Sequence, residues 1–257
     1  GGMLTAAGVS ATDGCYRLPS GMWGDFQAEL ARHYGSMEAL QTGWVSMIQF
    51  EPSVGNQIFQ RWVSNEPNIT YQPQTTWKNL HRTLRGWQLT LVHETEEEPI
   101  TADYLIDATE MGDVAHAAGL PYHVGLDART DTGEPWAPAQ ARPIVQDMTY
   151  VMILKQYDKP QTIARPEGYD AREFRNCCIN SLNDSNLKTK PWTAEMMMNY
   201  GRLPNGKYMI NWPMWGNDYY LNDVDYTPVQ RDSAEQKAKA KSLRFLYFMQ
   251  NELGMHN

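Results

Sequence analysis

The chain has 257 residues, of which 42% are hydrophobic and 20% charged, and a net charge of -8 at neutral pH. That size and apolar content allow a buried core in one or two domains at roughly 150 residues per domain, and the acidic balance excludes a typical nucleic-acid partner, whose phosphates need clustered Lys and Arg. No apolar run approaches the roughly 18 residues of a membrane span, and the start of the chain shows neither the charged nor the apolar region of a secretory leader.

The chain opens with "GGMLTAAGVSATDG" (1–14), a segment of small residues that lets backbone come close to another backbone or to a ligand. Its start without an initiating methionine suggests a fragment of a longer reading frame, although a tag remnant also leaves leading glycines. A helix is expected after Pro19-Ser20, with Phe26, Leu30 and Tyr34 on one face and Gly35 as its stop. A second starts at Pro52, a favoured first-turn residue, and places Val54, Ile58 and Trp62 together.

From Ile69 the apolar period becomes two. Ile69 and Tyr71, then "TTWKNLHRTL", then "WQLTLVH" read as strands of an antiparallel meander, with Arg85-Gly86 turning the second pair. The acidic run 94–98, closed by Pro99, reads as a solvated turn. "ADYLIDAT" (102–109) then supplies a short buried strand, and the helix-like "GDVAHAAG" (112–119) follows at once. Beyond Gly125 the chain is rich in loops, with short apolar runs at 150–154 and 207–215, so a boundary is placed there between regions 1–124 and 125–257. Near the end, Thr227-Pro228-Val229-Gln230 is a capping box with Pro at the first helical position. The long helix it opens carries Ala234, Ala238, Leu243, Leu246 and Leu253 on its expected buried face, and Gly254 closes it.

Several chemistries lack their motifs. GxGxxG, HExxH, paired CxxC and an EF-hand loop are absent, His116 and His123 read as a helix surface and a loop, and no metal site is expected. "GVSAT" lacks the last glycine of a nucleophile elbow. Three cysteines give no disulfide framework, which makes a reducing, cytoplasmic compartment the default; secretion would follow if a leader were lost with the N-terminus. Adjacent Cys177 and Cys178 are either a redox pair or two small buried hydrophobes.

Two stretches remain. "NWPMWGNDYY" (211–220) either lines a pocket that stacks and hydrogen-bonds a polar ring, or is a buried strand and turn with aromatic packing. Asn211, Asn217 and Asp218 would be costly core residues without partners. The end of "YLIDAT" is small, and in open α/β sheets ligands bind at strand ends of this kind, although most strand-turn-helix units are scaffold.

Taken in order, "GGMLTAAGVSATDG", "TGWVSMIQFEPSVGNQIF", the meander, "ADYLIDATEMGDVAHAAG", "EMMMNYGRLPNGKYMINWPMWGNDYY" and "YFMQNELG" resemble bacterial FAD-dependent oxidoreductases over essentially the whole chain. The resemblance implies an α/β flavoprotein: a doubly wound FAD-binding domain, with 1–124 as a part of it, and a substrate or cap domain, 125–257. It also implies that the βαβ unit with GxGxxG lies before Gly1 and that a completing portion follows Asn257. Gly1, Gly2 and Thr5 look like the glycine-rich stretch beside the flavin, Thr76 and Trp77 stand where adenine is contacted through backbone, and Ala108, Thr109 and Gly112 match a strand-end motif that is usually Ala-Thr-Gly. Glu110 replaces that glycine. Its carboxylate would repel a pyrophosphate and is expected to point away and cap the next helix, with Asp113 beside it.

The implied reaction is hydride transfer between a small-molecule substrate and flavin, with no nucleic acid or membrane partner. Nine tryptophans make a sugar-like substrate conceivable. Asn211, Asn217, Asp218 and Tyr219 are the candidates for the substrate side, with Asp218 or Tyr219 as proton acceptor if burial tunes it. The alternatives are a carbohydrate-binding module without redox chemistry and a degenerate flavoprotein fold.

Overall fold

The computed structural model describes residues 2–211 and 213–257. In chain order its elements are α1 (Gly21–Tyr34), α2 (Pro52–Asn65), β1 (Thr75–Arg82), β2 (Trp87–His93), β3 (Glu96–Ala102), α3 (Asp113–Ala117), α4 (Arg129–Thr132), β4 (Met148–Thr149), β5 (Met152–Lys155), α5 (Ala194–Tyr200), β6 (Arg202–Leu203), β7 (Lys207–Ile210), β8 (Asp218–Tyr219) and α6 (Pro228–Asn251). Helices are thus mixed with sheet, and among the described residues every strand pair is antiparallel: β1-β2-β3, β4-β8 and β5-β7-β6. No helix of the described residues is long and apolar enough to cross a membrane.

The chain forms two compact units, Gly1–Trp62 with Gln146–Asn257, and Val63–Val145. The expected boundary near Gly125 falls inside the second, where Leu126 and Arg142 exchange backbone hydrogen bonds of 2.9 Å.

In the first unit α1 ends where expected. Gly35 sits at φ 96°, a left-handed conformation that glycine reaches without a Cβ clash. Phe26 and Leu30 of α1 and Val54 and Ile58 of α2 close one core with Leu40, Ile48 and Phe50. Phe26 stacks on Phe59 at 4.9 Å between ring centres and meets Phe50 edge-on at 5.3 Å. A second core gathers Phe174, Cys177, Cys178, Met197 and Ile210 against Phe245, Phe248 and Met249 of α6.

The N-terminus of α6 is the expected capping box: Thr227 N donates to Gln230 Oε1 at 2.9 Å, and the Thr227 hydroxyl accepts from Gln230 N. Its buried face is corrected by the structure. Ala234 and Ala238 are buried as expected, but the stripe continues through Ser242, Phe245 and Met249, and Leu243 is 42% exposed. Leu243 is rotated by about 100° from Ser242, and at this level of α6 that direction is open to solvent.

Between these helices and the turn from β6 to β7, buried Glu51 accepts hydrogen bonds from the Tyr34 hydroxyl at 3.0 Å, from Asn205 Nδ2 at 2.8 Å and from the Lys207 ammonium. Burial opposes the charge, but the bonds from Lys207, Asn205 and Tyr34 outweigh it and hold the carboxyl below its usual range.

In the second unit β1, β2 and β3 form the expected meander, with a bulge between Lys78 and His81. Three expectations change. Ile69 and Tyr71 lie outside the sheet and are 50% and 64% exposed. The acidic run is the start of β3 and not merely a turn: Glu97 pairs with Val92 of β2 and reaches Lys78 of β1 at 2.5 Å, so the cross-sheet ion pair offsets the like-charge run. The segment "YLIDAT" is not a buried strand here. Residues 104–107 belong to no ladder, and Tyr104 and Ile106 are 88% and 86% exposed, because no strand lies beside them among the described residues.

Replacing Glu51 with Gln is expected to cost about 2 kcal/mol in denaturant unfolding, since a buried acceptor set is lost and Lys207 keeps its charge. A carboxyl whose pKa is lowered on folding stabilises above its unfolded value of 4.5. That contribution is lost as pH falls through the lower folded value, so the gap between the two proteins should close on acidification.

Candidate functional site

Three of the four candidate substrate-side residues are consecutive at β8, which pairs with β4 through Thr149 and Asp218 and through Met148 and Tyr219. Asn217 is fully buried. Its Nδ2 donates to the Tyr150 carbonyl at 3.3 Å and to the Ser242 hydroxyl at 3.1 Å, while Ser242 itself donates to Tyr150 at 2.6 Å. Asn217 Oδ1 is buried without a partner. Asp218 is half-buried. Its carboxylate accepts from the Thr149 hydroxyl at 2.8 Å, and its backbone carbonyl accepts from the Lys241 ammonium.

Burial pushes the Asp218 carboxyl above the usual carboxylate range. The Thr149 bond works against this, the Asp147 charge adds to it, and Lys241 opposes it. Tyr219 is half-buried beside it, and buried Asn211 directly follows β7 in the same unit. The rest of the aromatic stretch is less enclosed, with Trp215 39% and Tyr220 54% exposed; Trp212 lies outside the described residues.

The glycine-rich stretch belongs to the same unit. Gly1 lies outside the described residues, Gly2 is exposed, and its carbonyl accepts from Thr5 N and Ala7 N, both at 3.2 Å. Gly8, at φ 78°, packs against Val151, where a Cβ would come within 3.4 Å. Further on, Ser10 Oγ and Thr12 Oγ1 are buried without partners. Sequence reasoning weighed Ser10 only as a nucleophile and missed these, because burial of a small polar residue leaves no local pattern.

In the second unit the loop after "YLID" is organised by a residue the sequence reading passed over. Asp107 Oδ1 accepts from Thr109 Oγ1 at 2.7 Å and from Thr109 N at 2.8 Å, and Oδ2 accepts from Ala115 N at 2.8 Å. Thr109 Oγ1 in turn accepts from Asp113 N at 2.8 Å. The Thr109 hydroxyl and then its amide hold the Asp107 carboxyl below the usual range, with slight burial opposing them. The cap on α3 is therefore Asp107 with Thr109 and not Glu110. Spacing was the available signal, since Asp-x-Thr is a side-chain turn motif.

Ala108 is exposed, and Gly112 at φ 67° has no atom within 4 Å of where a Cβ would stand, so one side of this loop is open. Thr76 and Trp77 pair with Val92 and Leu91 of β2. Since β1 is an edge of its sheet, alternate backbone groups face away from β2. A cleft of about 500 Å³ in this unit, lined by Tyr71, Gln72, His93 and three glutamates, contains none of the candidate residues and is the wrong charge for phosphates.

A family model described as FAD dependent oxidoreductase matches residues 1–257, and the chain belongs to that family, whose cofactor is FAD. Neither the curated proteins nor the solved structures contain a significant match.

The Asp107 cap gives a local test. Asp107→Ala should cost about 1 kcal/mol, as loss of a helix cap does, and should speed hydrogen exchange at the Thr109 and Ala115 amides. Glu110→Ala should leave both amides as protected as before.

Proposed function

We propose that the intact protein passes a hydride between a carbon of a small-molecule substrate and the flavin of FAD, with Asp218 as the proton acceptor. The observation that carries the redox part is the family match over residues 1–257. When bound, FAD supplies the hydride-accepting ring. In the first unit Gly2 and Thr5, with Gly1 by sequence, would approach it. The orphaned Asn217 Oδ1 fits this reading, as a buried acceptor that still lacks a donor.

In the second unit Thr76 and Trp77 would offer edge-strand backbone, and Ala108, Thr109 and Gly112 would offer the open loop. Asp107 and Thr109 already satisfy amides at the start of α3. The loop backbone outside that cap is then what remains for phosphate, and Glu110 has to face elsewhere.

The doubly wound sheet belongs to the same proposal. An apolar run with Tyr104 and Ile106 almost wholly exposed and no ladder partner suits a strand that inserts between others. We assign residues 1–124 to the FAD-binding part and 125–257 to the substrate part. This is a division of roles and not of compact units, because Val63–Val145 pack together.

On the substrate side, a half-buried carboxyl with its pKa raised is closer to the operating pH of a general base than an ordinary aspartate. Asn211, Asn217 and Tyr219 would orient the substrate around it. A sugar-like substrate suits the polar and aromatic character of 211–220.

The first test is a visible spectrum of the protein expressed from its full reading frame, with identification of any released chromophore. Flavin bands and released FAD are expected. Added FAD at about 100 times its Kd should stabilise the protein by about 2.7 kcal/mol. A folded, colourless protein that binds a sugar and takes up no FAD would favour the non-redox module.

With a reducing substrate in hand, Asp218→Asn should slow flavin reduction about 100- to 10,000-fold. The wild-type rate should climb as pH rises through the raised Asp218 pKa, and the variant should lose that limb. Unchanged flavin reduction would remove Asp218 from the mechanism.

A further inference from the structure

We propose that Cys177 and Cys178 are a redox-sensitive modification site, closing to a disulfide between sequence neighbours when the protein meets hydrogen peroxide. The inference is independent of the flavin reading. Adjacent side chains point to opposite sides of an extended chain and about 100° apart on a helix, so two neighbouring thiols do not ordinarily meet. Here they do. Cys178 adopts φ 61°, a left-handed conformation uncommon without glycine. Both sulfurs turn toward one atom, with Cys177 Sγ 4.0 Å and Cys178 Sγ 3.6 Å from Met197 Sδ.

Such backbone persists only where its surroundings hold it, and two asparagines do so. Asn180 Nδ2 donates to the carbonyls of Arg175, Cys177 and Cys178 at 3.0, 3.2 and 3.0 Å. Asn183 Nδ2 donates to those of Arg175 and Cys178 at 2.8 and 2.9 Å. The loop is thereby fixed in the conformation that turns both sulfurs toward Met197.

The pair is buried among Phe174, Ile210, Phe245 and Phe248. An uncharged disulfide suits that setting better than a thiolate does. Peroxide is small, and the covering loop is at the surface, with Ile179 half exposed. Cys178 is the reacting member: the hydrogen bond from Cys177 holds its thiol below the usual range against the effect of burial, while the same bond and burial push Cys177 up.

In the first step the Cys178 sulfur attacks one peroxide oxygen, the O–O bond breaks, and sulfenic acid and one water form. The Cys177 sulfur then attacks the sulfenic sulfur, the S–S bond forms, the S–O bond breaks, and a second water leaves with the Cys177 proton. Two thiols lose two electrons, and one peroxide becomes two waters. Closure removes the Cys178 thiol donor from the Thr193 carbonyl, 3.8 Å away, at the residue that caps α5. Oxidation is therefore felt at the start of the helix that carries Met197 and Tyr200.

The test uses the full chain, treated with hydrogen peroxide or with dithiothreitol, then denatured, alkylated with iodoacetamide, digested and weighed. After peroxide, the peptide holding Cys177 and Cys178 should be two hydrogens lighter and unalkylated. After dithiothreitol it should carry two alkyl groups, and exposed Cys15 serves as the internal alkylation control. In Cys177→Ser, which keeps a hydroxyl donor beside it, Cys178 should gain oxygen and lose no hydrogens. Alkylation of both cysteines after peroxide, added oxygen on the wild-type pair, or a cross-link to Cys15 would each overturn the proposal.

Discussion

The carbonyl oxygen of Tyr150 accepts from Asn217 Nδ2 and from the Ser242 hydroxyl, deep in the first unit. It lies between β4 and β5, Asn217 immediately precedes β8, and Ser242 is in the middle of α6. Three elements that share no sequence neighbourhood are thereby held to one atom. A buried amide with no acceptor costs about 1–3 kcal/mol, so this carbonyl makes an asparagine tolerable at 217 and fixes where β8 begins. The positions of Asp218 and Tyr219 follow from that anchor.

Two aspartates show how environment divides the work of a single residue type. Asp107 is surrounded by donors that stabilise its charge, and it acts as a fixed anion that shapes a loop. Asp218 is half-buried and feels the charge of Asp147, and its own charge is disfavoured. The first holds its charge more firmly than an ordinary aspartate and the second less firmly, which suits the second to proton exchange.

What could be read from the sequence depended on range. The helices α1, α2 and α6 were legible because their period, caps and stops lie within a few residues of one another, as with Gly35, Pro52 and the Thr227 box. The meander was legible in its two long strands. Burial of "YLID" was not, since apolar alternation states what a strand would bury and not whether a neighbour is present to bury it. Glu97 looked like turn material until Lys78, two strands away, supplied a countercharge. The site divided in the same way. Residues 217–219 stood out by composition, but what holds them comes from 67 and 92 positions apart in the Asn217 and Ser242 bonds to Tyr150, beyond any local pattern. Asp107 and Thr109 were within reach of a local rule, and Glu110 drew attention from them because it was the unusual residue.

Among the described residues the order β1-β2-β3 leaves the small sheet with two free edges, and they are not equivalent. β3 presents Glu96, Glu97 and Glu98 followed by Pro99. Proline has no amide hydrogen to offer an incoming strand, and a second copy would bring its own row of negative charge against the first. That margin is closed to self-assembly into fibrils. β1 carries a bulge with Asn79 at φ 55°, which bends the other margin and interrupts any long straight pairing. A sheet this small and exposed is thus protected from aggregation by charge on one side and by shape on the other.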